Sequence, residues 1–261
     1  MKKKLAFIGA GGLAQIVYNG YINGLISDYE IIGIMDFNAE AAGEASEKTG
    51  ARIYDSVEEL IALKPDYIIE MAAVAAYRAS VLKVLEAGID FIGLSLGALA
   101  DSHLREEVEN TAVKTGSKVY IPSGSVGGYD MMQSIALMGA ESASLSMRKG
   151  PDTLKGTKIY SDDLYNLKET TLVFDGNARE AIDAMPTKVN IGVGTALATM
   201  GVENTNIKMY CDPEMKDDDI TIEVRSKDAS CTLNFYSKPA DIAAWSIINL
   251  LRNLASPIQF M

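Results

Sequence analysis

Gly9-Ala10-Gly11-Gly12-Leu13-Ala14 follows the apolar run Leu5-Ala6-Phe7-Ile8, and its residue types suit contact with a pyrophosphate. Only Gly or a similarly small residue lets backbone N–H groups come close to phosphate oxygens. The partial positive charge at the start of the helix that follows then favours the anion. An acidic residue, Asp36, stands at the end of a second apolar run, about 20 residues beyond the turn. A carboxylate there accepts hydrogen bonds from the ribose hydroxyls of adenosine. Phe37 and Asn38 come next, so no adjacent arginine is available to take a 2′-phosphate. This favours NAD as the cofactor and leaves NADP open. The turn alone would also fit close packing of a helix on a strand; strand, helix and acid together point to a dinucleotide, with Gly9, Gly11, Gly12, Leu13, Ala14 and Asp36 as its contacts.

Ligands in open α/β sheets bind beyond the carboxyl ends of the strands. That singles out Met71-Ala72-Ala73-Val74 and Ser95-Leu96-Gly97-Ala98, both rich in small residues. Ala72 and Ala73 would let a flat cofactor lie against the backbone; tight loop packing is the other reading. Pro122-Ser123-Gly124-Ser125-Val126-Gly127-Gly128 is a second glycine-rich stretch. Its amides either hold an anionic or nicotinamide group, or the stretch is a plain interdomain hinge. Arg148, Lys149, Arg179, Lys188 and Lys238 are the candidate cations for a carboxylate substrate, Arg148 and Lys149 foremost, although each alone also fits a solvated surface position. His103 is the only histidine, and it follows Asp101-Ser102 at the start of a charged helix, which is a surface setting. No Ser-His-Asp, Cys-His or metal-ligand arrangement stands out. Asp217-Asp218-Asp219 suggests a cation site, but a short acidic turn between two strands is the commoner explanation.

The elements that must position these residues alternate regularly in the first half. Strands are expected at Lys4–Ile8, Glu30–Met35, Arg52–Tyr54, Tyr67–Glu70, Asp90–Leu94 and Lys118–Ile121, with helices between them. One helix begins at Ser56, where Glu59 completes a capping box; others stop at Gly50, Gly88 and Gly116, where glycine suits a left-handed C-cap. Alternation of this kind implies parallel pairing and a doubly wound α/β Rossmann sheet. After Pro122 the rhythm changes. A Met-rich helix over Tyr129–Ala140 precedes strands at Ser142–Arg148 and Thr171–Phe174, then two helical segments ending near Met185 and Met200. Strands at Asn206–Tyr210, Ile220–Val224 and Cys231–Phe235 follow, with Ile220, Ile222 and Val224 on one face. An amphipathic helix over Asp241–Leu254 closes the chain. The expected organisation is a dinucleotide-binding domain over 1–121 and 240–261, and an α+β mixed-sheet domain over 122–239.

The 261 residues suffice for a sizeable core, and 48% hydrophobic with 23% charged residues is ordinary for a soluble globular protein. A formal net charge of −11 argues against nucleic acid or an anionic membrane surface as a partner. Two cysteines, Cys211 and Cys231, build no disulfide framework and read as reduced thiols. The apolar stretch after Lys2-Lys3-Lys4 faintly resembles a signal peptide, but the glycine cluster breaks it, and no apolar run is long enough to span a bilayer. A cytoplasmic protein acting on a small molecule is expected.

Six segments, in order along nearly the whole chain, resemble the L-aspartate dehydrogenases. They are the glycine turn, Leu94-Ser95-Leu96-Gly97-Ala98-Leu99-Ala100-Asp101, the stretch Pro122–Gly128, Arg148-Lys149-Gly150-Pro151, Phe174-Asp175-Gly176-Asn177-Ala178-Arg179-Glu180-Ala181 and Val189-Asn190-Ile191. The resemblance implies a Rossmann domain completed by the C-terminal helix and a second domain that helps form a homodimer. It implies NAD(P)-dependent deamination of an amino acid to an oxo acid and ammonia, or the reverse. By position, Asn190 matches the family's cofactor-contacting asparagine, and Ser125 stands where the family has a cofactor-contacting alanine. The family's catalytic histidine follows an Asp-Pro pair. Here Asp212-Pro213 is present, but the matching position is Ile220; a one-residue slip would put Asp219 there instead. Lys238-Pro239 also replaces the family's Asn-Pro before the last helix.

Loss of that histidine has a chemical consequence. Hydride transfer needs alignment, which the fold supplies, but amine deprotonation and attack of water on an imine need a general base. Lys188, Asp218 and Asp219 are the substitutes to consider. Two other outcomes stay open: a substrate-shifted amine or imine oxidoreductase, and a nicotinamide-binding sensor without catalysis.

Overall fold

The computed structural model describes residues 2–186, 188–237 and 241–260. The chain divides into two compact units, Met1–Gly124 with Ala243–Met261, and Ser125–Ile242. The first junction lies three residues beyond the expected 121/122 boundary. The second expected junction, and with it Lys238 and Pro239, lies outside the described residues.

In the first unit the apolar runs become strands β1 (Lys3–Ile8), β2 (Tyr29–Met35), β3 (Arg52–Ile53), β4 (Tyr67–Glu70), β5 (Asp90–Gly93) and β6 (Val119–Tyr120). They form one parallel sheet in the order β3-β2-β1-β4-β5-β6. This is the doubly wound dinucleotide-binding order, with its reversal between β1 and β4. Central strands of such a sheet are covered on both faces, which is why Leu5 to Ile8 and Tyr67 to Glu70 are buried without alternation. Between them run α1 (Gly12–Ile22), α2 (Ala39–Thr49), α3 (Val57–Ala62), α4 (Val74–Glu86) and α5 (Ser102–Thr115). Asn38 and Asp101 cap α2 and α5 through their side chains, and Gly50 and Gly116 close them in the left-handed conformation. At α3 the expected capping box is only half formed. The Ser56 hydroxyl accepts from the Glu59 N–H, but the Glu59 carboxylate takes the N–H of Asp55 instead.

The last helix, α10 (Ile242–Ala255), returns to this unit. Its Ala244, Ile247, Ile248 and Leu251 join a core with Leu5, Phe7, Tyr18, Ile34 and Ile69. Each large apolar side chain buried in this way contributes roughly 1.5–3 kcal/mol. Tyr29 Oη donates to the Leu251 carbonyl at 2.7 Å, and Arg252 donates to the Leu25 carbonyl at 2.8 Å. The helix is therefore an integral layer of the nucleotide-binding fold.

The second unit holds α6 (Tyr129–Leu137), β7 (Ala140–Lys149), the one-turn α7 (Pro151–Leu154), β8 (Thr171–Asn177), α8 (Ala178–Ala184), α9 (Asn190–Ala198), β9 (Asn206–Cys211), β10 (Asp218–Ser226) and β11 (Ser230–Ser237). Its mixed sheet has the order β11-β10-β7-β9-β8, with β7 and β9 parallel and the other pairs antiparallel. Alternation is clean: Leu145, Met147, Ile220, Ile222, Val224, Ile207 and Met209 are buried on one face. Helices α6, α8 and α9 pack on this sheet. The acidic run departs from expectation. Asp218 and Asp219 are strand residues rather than a turn, because each meets a cation across the β7–β10 ladder. Among the described residues no helix is long and apolar enough to cross a membrane, and none of the acidic, His or Cys side chains form a metal-binding group.

Candidate functional site

The glycine turn between β1 and α1 is shaped by three contacts. Gly9 has φ +114°, and a Cβ there would lie 2.7 Å from the Met71 carbonyl oxygen, so only glycine fits so close to the end of β4. Tyr18 Oη donates to the Gly9 carbonyl at 2.8 Å, and Gln15 Nε2 to the Ala10 carbonyl at 3.1 Å. Burial pushes the Tyr18 phenol pKa upward, and the nearby Asp36 adds to this, so the group remains a donor. Gly11 and Gly12 are exposed, and a Cβ on either would meet nothing within 4 Å. Gly11 is the N-cap of α1, which has no side-chain cap and no acidic residue in its first turn. Open space faces uncapped N–H groups, and a pyrophosphate fits both features.

Asp36, at the end of β2, closes one side of this cradle. Its carboxylate accepts the Ala10 N–H at 2.6 Å and the Asn38 N–H at 2.8 Å. An ionised carboxylate has about four acceptor positions, so ribose hydroxyls can still be received. Phe37 next to it is 95% exposed. The sequence had marked Phe37 only as a place without arginine. An aromatic ring left in water beside the Asp36 carboxylate offers a stacking surface for a flat heterocycle.

At the ends of β4 and β5, Ala72 and Ala73 are exposed and lead into α4, while Ser95 to Ala100 are buried. Between these loops sits a residue that sequence reasoning passed over, Glu70, with no exposed surface. No local pattern reveals it, because its partner Ser95 lies 25 residues away.

In the second unit, Ile220 is 1% exposed and stands opposite Met147 on β7 and Phe235 on β11. The glycine-rich stretch comes to this neighbourhood. A Cβ on Gly127 would lie 3.7 Å from the Phe235 ring, and one on Gly128 would lie 2.8 Å from Leu233. Gly128, with φ +76°, opens α6. Ser125 is half-buried in the same stretch, and Asn190 is the half-buried first residue of α9.

Two residues from Ile220, on the same face, Asp218 accepts from Lys149 Nζ at 2.5 Å. The side chains are 8% exposed for Lys149 and 14% for Asp218. Asp219 points the other way, where Arg148 holds it at 2.7 Å and also approaches Asp212 at 3.6 Å. The register thus puts Ile220, not Asp219, on the covered face. Arg148 and Lys149, adjacent in sequence, belong to opposite faces. Arg179 pairs with Glu203 at 2.5 Å on a different edge. Lys188 is half-buried in the turn before α9, its N–H bonded to the Met185 carbonyl. His103 is exposed on α5. Lys149 with Asp218 is the pairing the structure adds: a buried donor on a half-buried acceptor, two residues that the sequence had assigned to different roles.

Two family models match the chain. One, described as aspartate dehydrogenase, C-terminal, covers residues 130–254; the other, described as homoserine dehydrogenase, NAD binding domain, covers residues 8–122. The L-aspartate dehydrogenase of Methanosarcina acetivorans is 33% identical over 98% of both chains. That of Methanococcus maripaludis is 30% identical over 98% of both. Among solved structures, aspartate dehydrogenase from Thermotoga maritima superposes with a TM-score of 0.80 over the whole of both chains at 21% identity. GenD2 from gentamicin A biosynthesis, solved in complex with NAD, gives 0.58 at 10% identity over 100% of this chain and 89% of that one.

Proposed function

Because the chain belongs to the L-aspartate dehydrogenase family, we propose that it catalyses NAD-dependent oxidative deamination of an amino acid, aspartate foremost, and the reverse amination. In the forward direction the amino acid, NAD+ and water give the oxo acid, ammonium, NADH and a proton. The observation that carries the reading is the open, uncapped glycine turn with Asp36 bonded across it. NAD, when bound, supplies the hydride acceptor. Gly11, Gly12, Leu13 and Ala14 hold the pyrophosphate through N–H groups, and Asp36 receives the ribose hydroxyls. The same carboxylate repels a 2′-phosphate, which disfavours NADP. Ala72, Ala73, Ser125 and Asn190 complete the cofactor contacts, the last two by family position.

The proton chemistry falls to the pair in the second unit. Ile220 has no acid or base to offer, whereas Asp218 lies on the same face about 7 Å along the strand. Its carboxylate takes the proton from the substrate ammonium and passes it to solvent, then takes a second from the water that attacks the imine and gives that one to the departing nitrogen. Lys149 fixes its orientation through the hydrogen bond that its Nζ donates. The low exposure of the Lys149–Asp218 contact supports this reading over Lys188, which pairs with no carboxylate among the described residues, and over Asp219, on the other face. Ile220 itself favours one second reading, a substrate-shifted amine or imine oxidoreductase. We further take the protein to act as a cytoplasmic homodimer. The half-buried Ser144, Ser146, Lys208, Tyr210 and Thr221, on the sheet face turned from Ile220, support self-association.

The test is NADH oxidation by purified protein with ammonia and a panel of oxo acids, repeated with NADPH. Oxaloacetate with NADH is expected to give the highest rate. Activity confined to another carbonyl or imine would replace aspartate with that substrate. Phe37→Ala is expected to weaken ADP and NADH alike, by about two- to twelvefold, the loss of roughly 0.5–1.5 kcal/mol of stacking. Titration of either ligand by calorimetry checks it.

A further inference from the structure

We propose that Glu70 is a positioning residue for cofactor binding, fixing in register the two loops on which the nicotinamide half of NAD rests. The proposal rests on the dinucleotide reading above and extends it to a residue that never touches the ligand. Glu70 Oε1 accepts the Ala72 N–H at 2.8 Å and the Ser95 hydroxyl at 2.9 Å. Oε2 accepts the Ser95 N–H at 3.1 Å. The Ala73 N–H also stabilises the carboxylate. Each of these neighbours donates to a Glu70 oxygen, so the side chain serves them as an acceptor at both ends. Burial holds the Glu70 carboxyl pKa above the ordinary carboxylate value, and these donors only partly offset that.

The location gives this cluster its meaning. Sheet order places the adenosine side with β2, where Asp36 stands, and the turn of β1 takes the pyrophosphate. The remaining half of a dinucleotide must run toward β4 and β5. Glu70 ends β4, its backbone carbonyl accepts the Leu94 N–H at 3.0 Å, and its side chain ties the loop after β4 to the loop after β5. Ala72 and Ala73 are exposed above it, so the carboxylate supports their backbone from behind. The ground beneath is rigid. The Tyr77 ring lies so close to Gly93 that a Cβ there would be 2.1 Å from it, and the same ring packs edge-on against Phe91 at 5.0 Å. A neutral side chain of equal length cannot replace Glu70, because one end of a glutamine amide would present N–H to N–H.

The experiment compares binding of NADH and of ADP to the full-length protein by calorimetry, with amide exchange on the ligand-free chain. Glu70→Gln is expected to raise the Kd for NADH about tenfold or more and to leave that for ADP within about twofold. Exchange at residues 72–74 and 94–95 should quicken. Ser95→Ala keeps the charge and deletes one donor; about a threefold loss for NADH alone is expected, which decides the matter if Glu70→Gln fails to fold. Unchanged NADH binding in both variants, with a parent that binds both ligands, would overturn the role of Glu70 alone. Parallel weakening of NADH and ADP would overturn it too, as a general structural role. A parent that binds neither ligand would overturn the dinucleotide reading and this proposal with it.

Discussion

Asp218→Asn is expected to lower kcat by about two to four orders of magnitude, the usual contribution of a general base, while the Kd for NADH stays unchanged. Asparagine still accepts a hydrogen bond from Lys149 but takes no proton at neutral pH. Stability should therefore fall by only about 1–3 kcal/mol, the scale of weakening a hydrogen bond to a charged group. Lys149→Met is expected to behave differently. It leaves a carboxylate that is 14% exposed without its cation, and breaking such a pair costs about 3–5 kcal/mol. The double variant Lys149→Met/Asp218→Asn should recover much of that stability and none of the turnover. Stopped-flow rates with oxaloacetate and ammonia, beside urea denaturation, separate these outcomes. Turnover within a few-fold of the parent in Asp218→Asn would put the base elsewhere, and Lys188→Ala would be the next variant to make.

Gly9→Ala is expected to destabilise the nucleotide-binding unit by roughly 2–6 kcal/mol. Two costs add: a left-handed φ of +114° for a residue with a Cβ, and a Cβ 2.7 Å from the Met71 carbonyl oxygen. The obstacle is backbone, so no side chain can swing away. Domains are stable by only about 5–15 kcal/mol in all, so this is a large fraction. Gly11→Ala is the control, since a Cβ there meets nothing within 4 Å. It should fold like the parent and lose NADH affinity instead. A urea midpoint for Gly9→Ala equal to that of the parent would contradict the packing described for the turn.

What could be read from the sequence follows from how local each signal is. Strand Tyr67–Glu70 was legible to the residue, since a buried parallel strand is a short apolar run bounded by turn residues. Asp36 was legible because the turn, strand and acid recur at a fixed spacing. The acidic run was misread for the opposite reason. Three aspartates in a row look like a turn, and only pairing with Arg148 and Lys149, about 70 residues away, makes two of them strand residues on opposite faces. Glu70 was missed on similar grounds. A carboxylate at a strand end reads as solvated unless one knows that Ser95 and Ala72 close over it. Ile220 marks the limit of motif reasoning. The sequence registers the missing histidine, but only strand register puts Asp218 on the same face.

The most direct test follows the nitrogen. Purified protein is incubated with oxaloacetate, NADH and 15N-labelled ammonium, and the products are identified by NMR and mass spectrometry. The account predicts 15N-aspartate formed one-to-one with the NADH consumed. NADH consumption that yields malate without labelled aspartate, or no consumption with any oxo acid, would contradict an amino-acid dehydrogenase whose proton chemistry rests on Lys149 and Asp218.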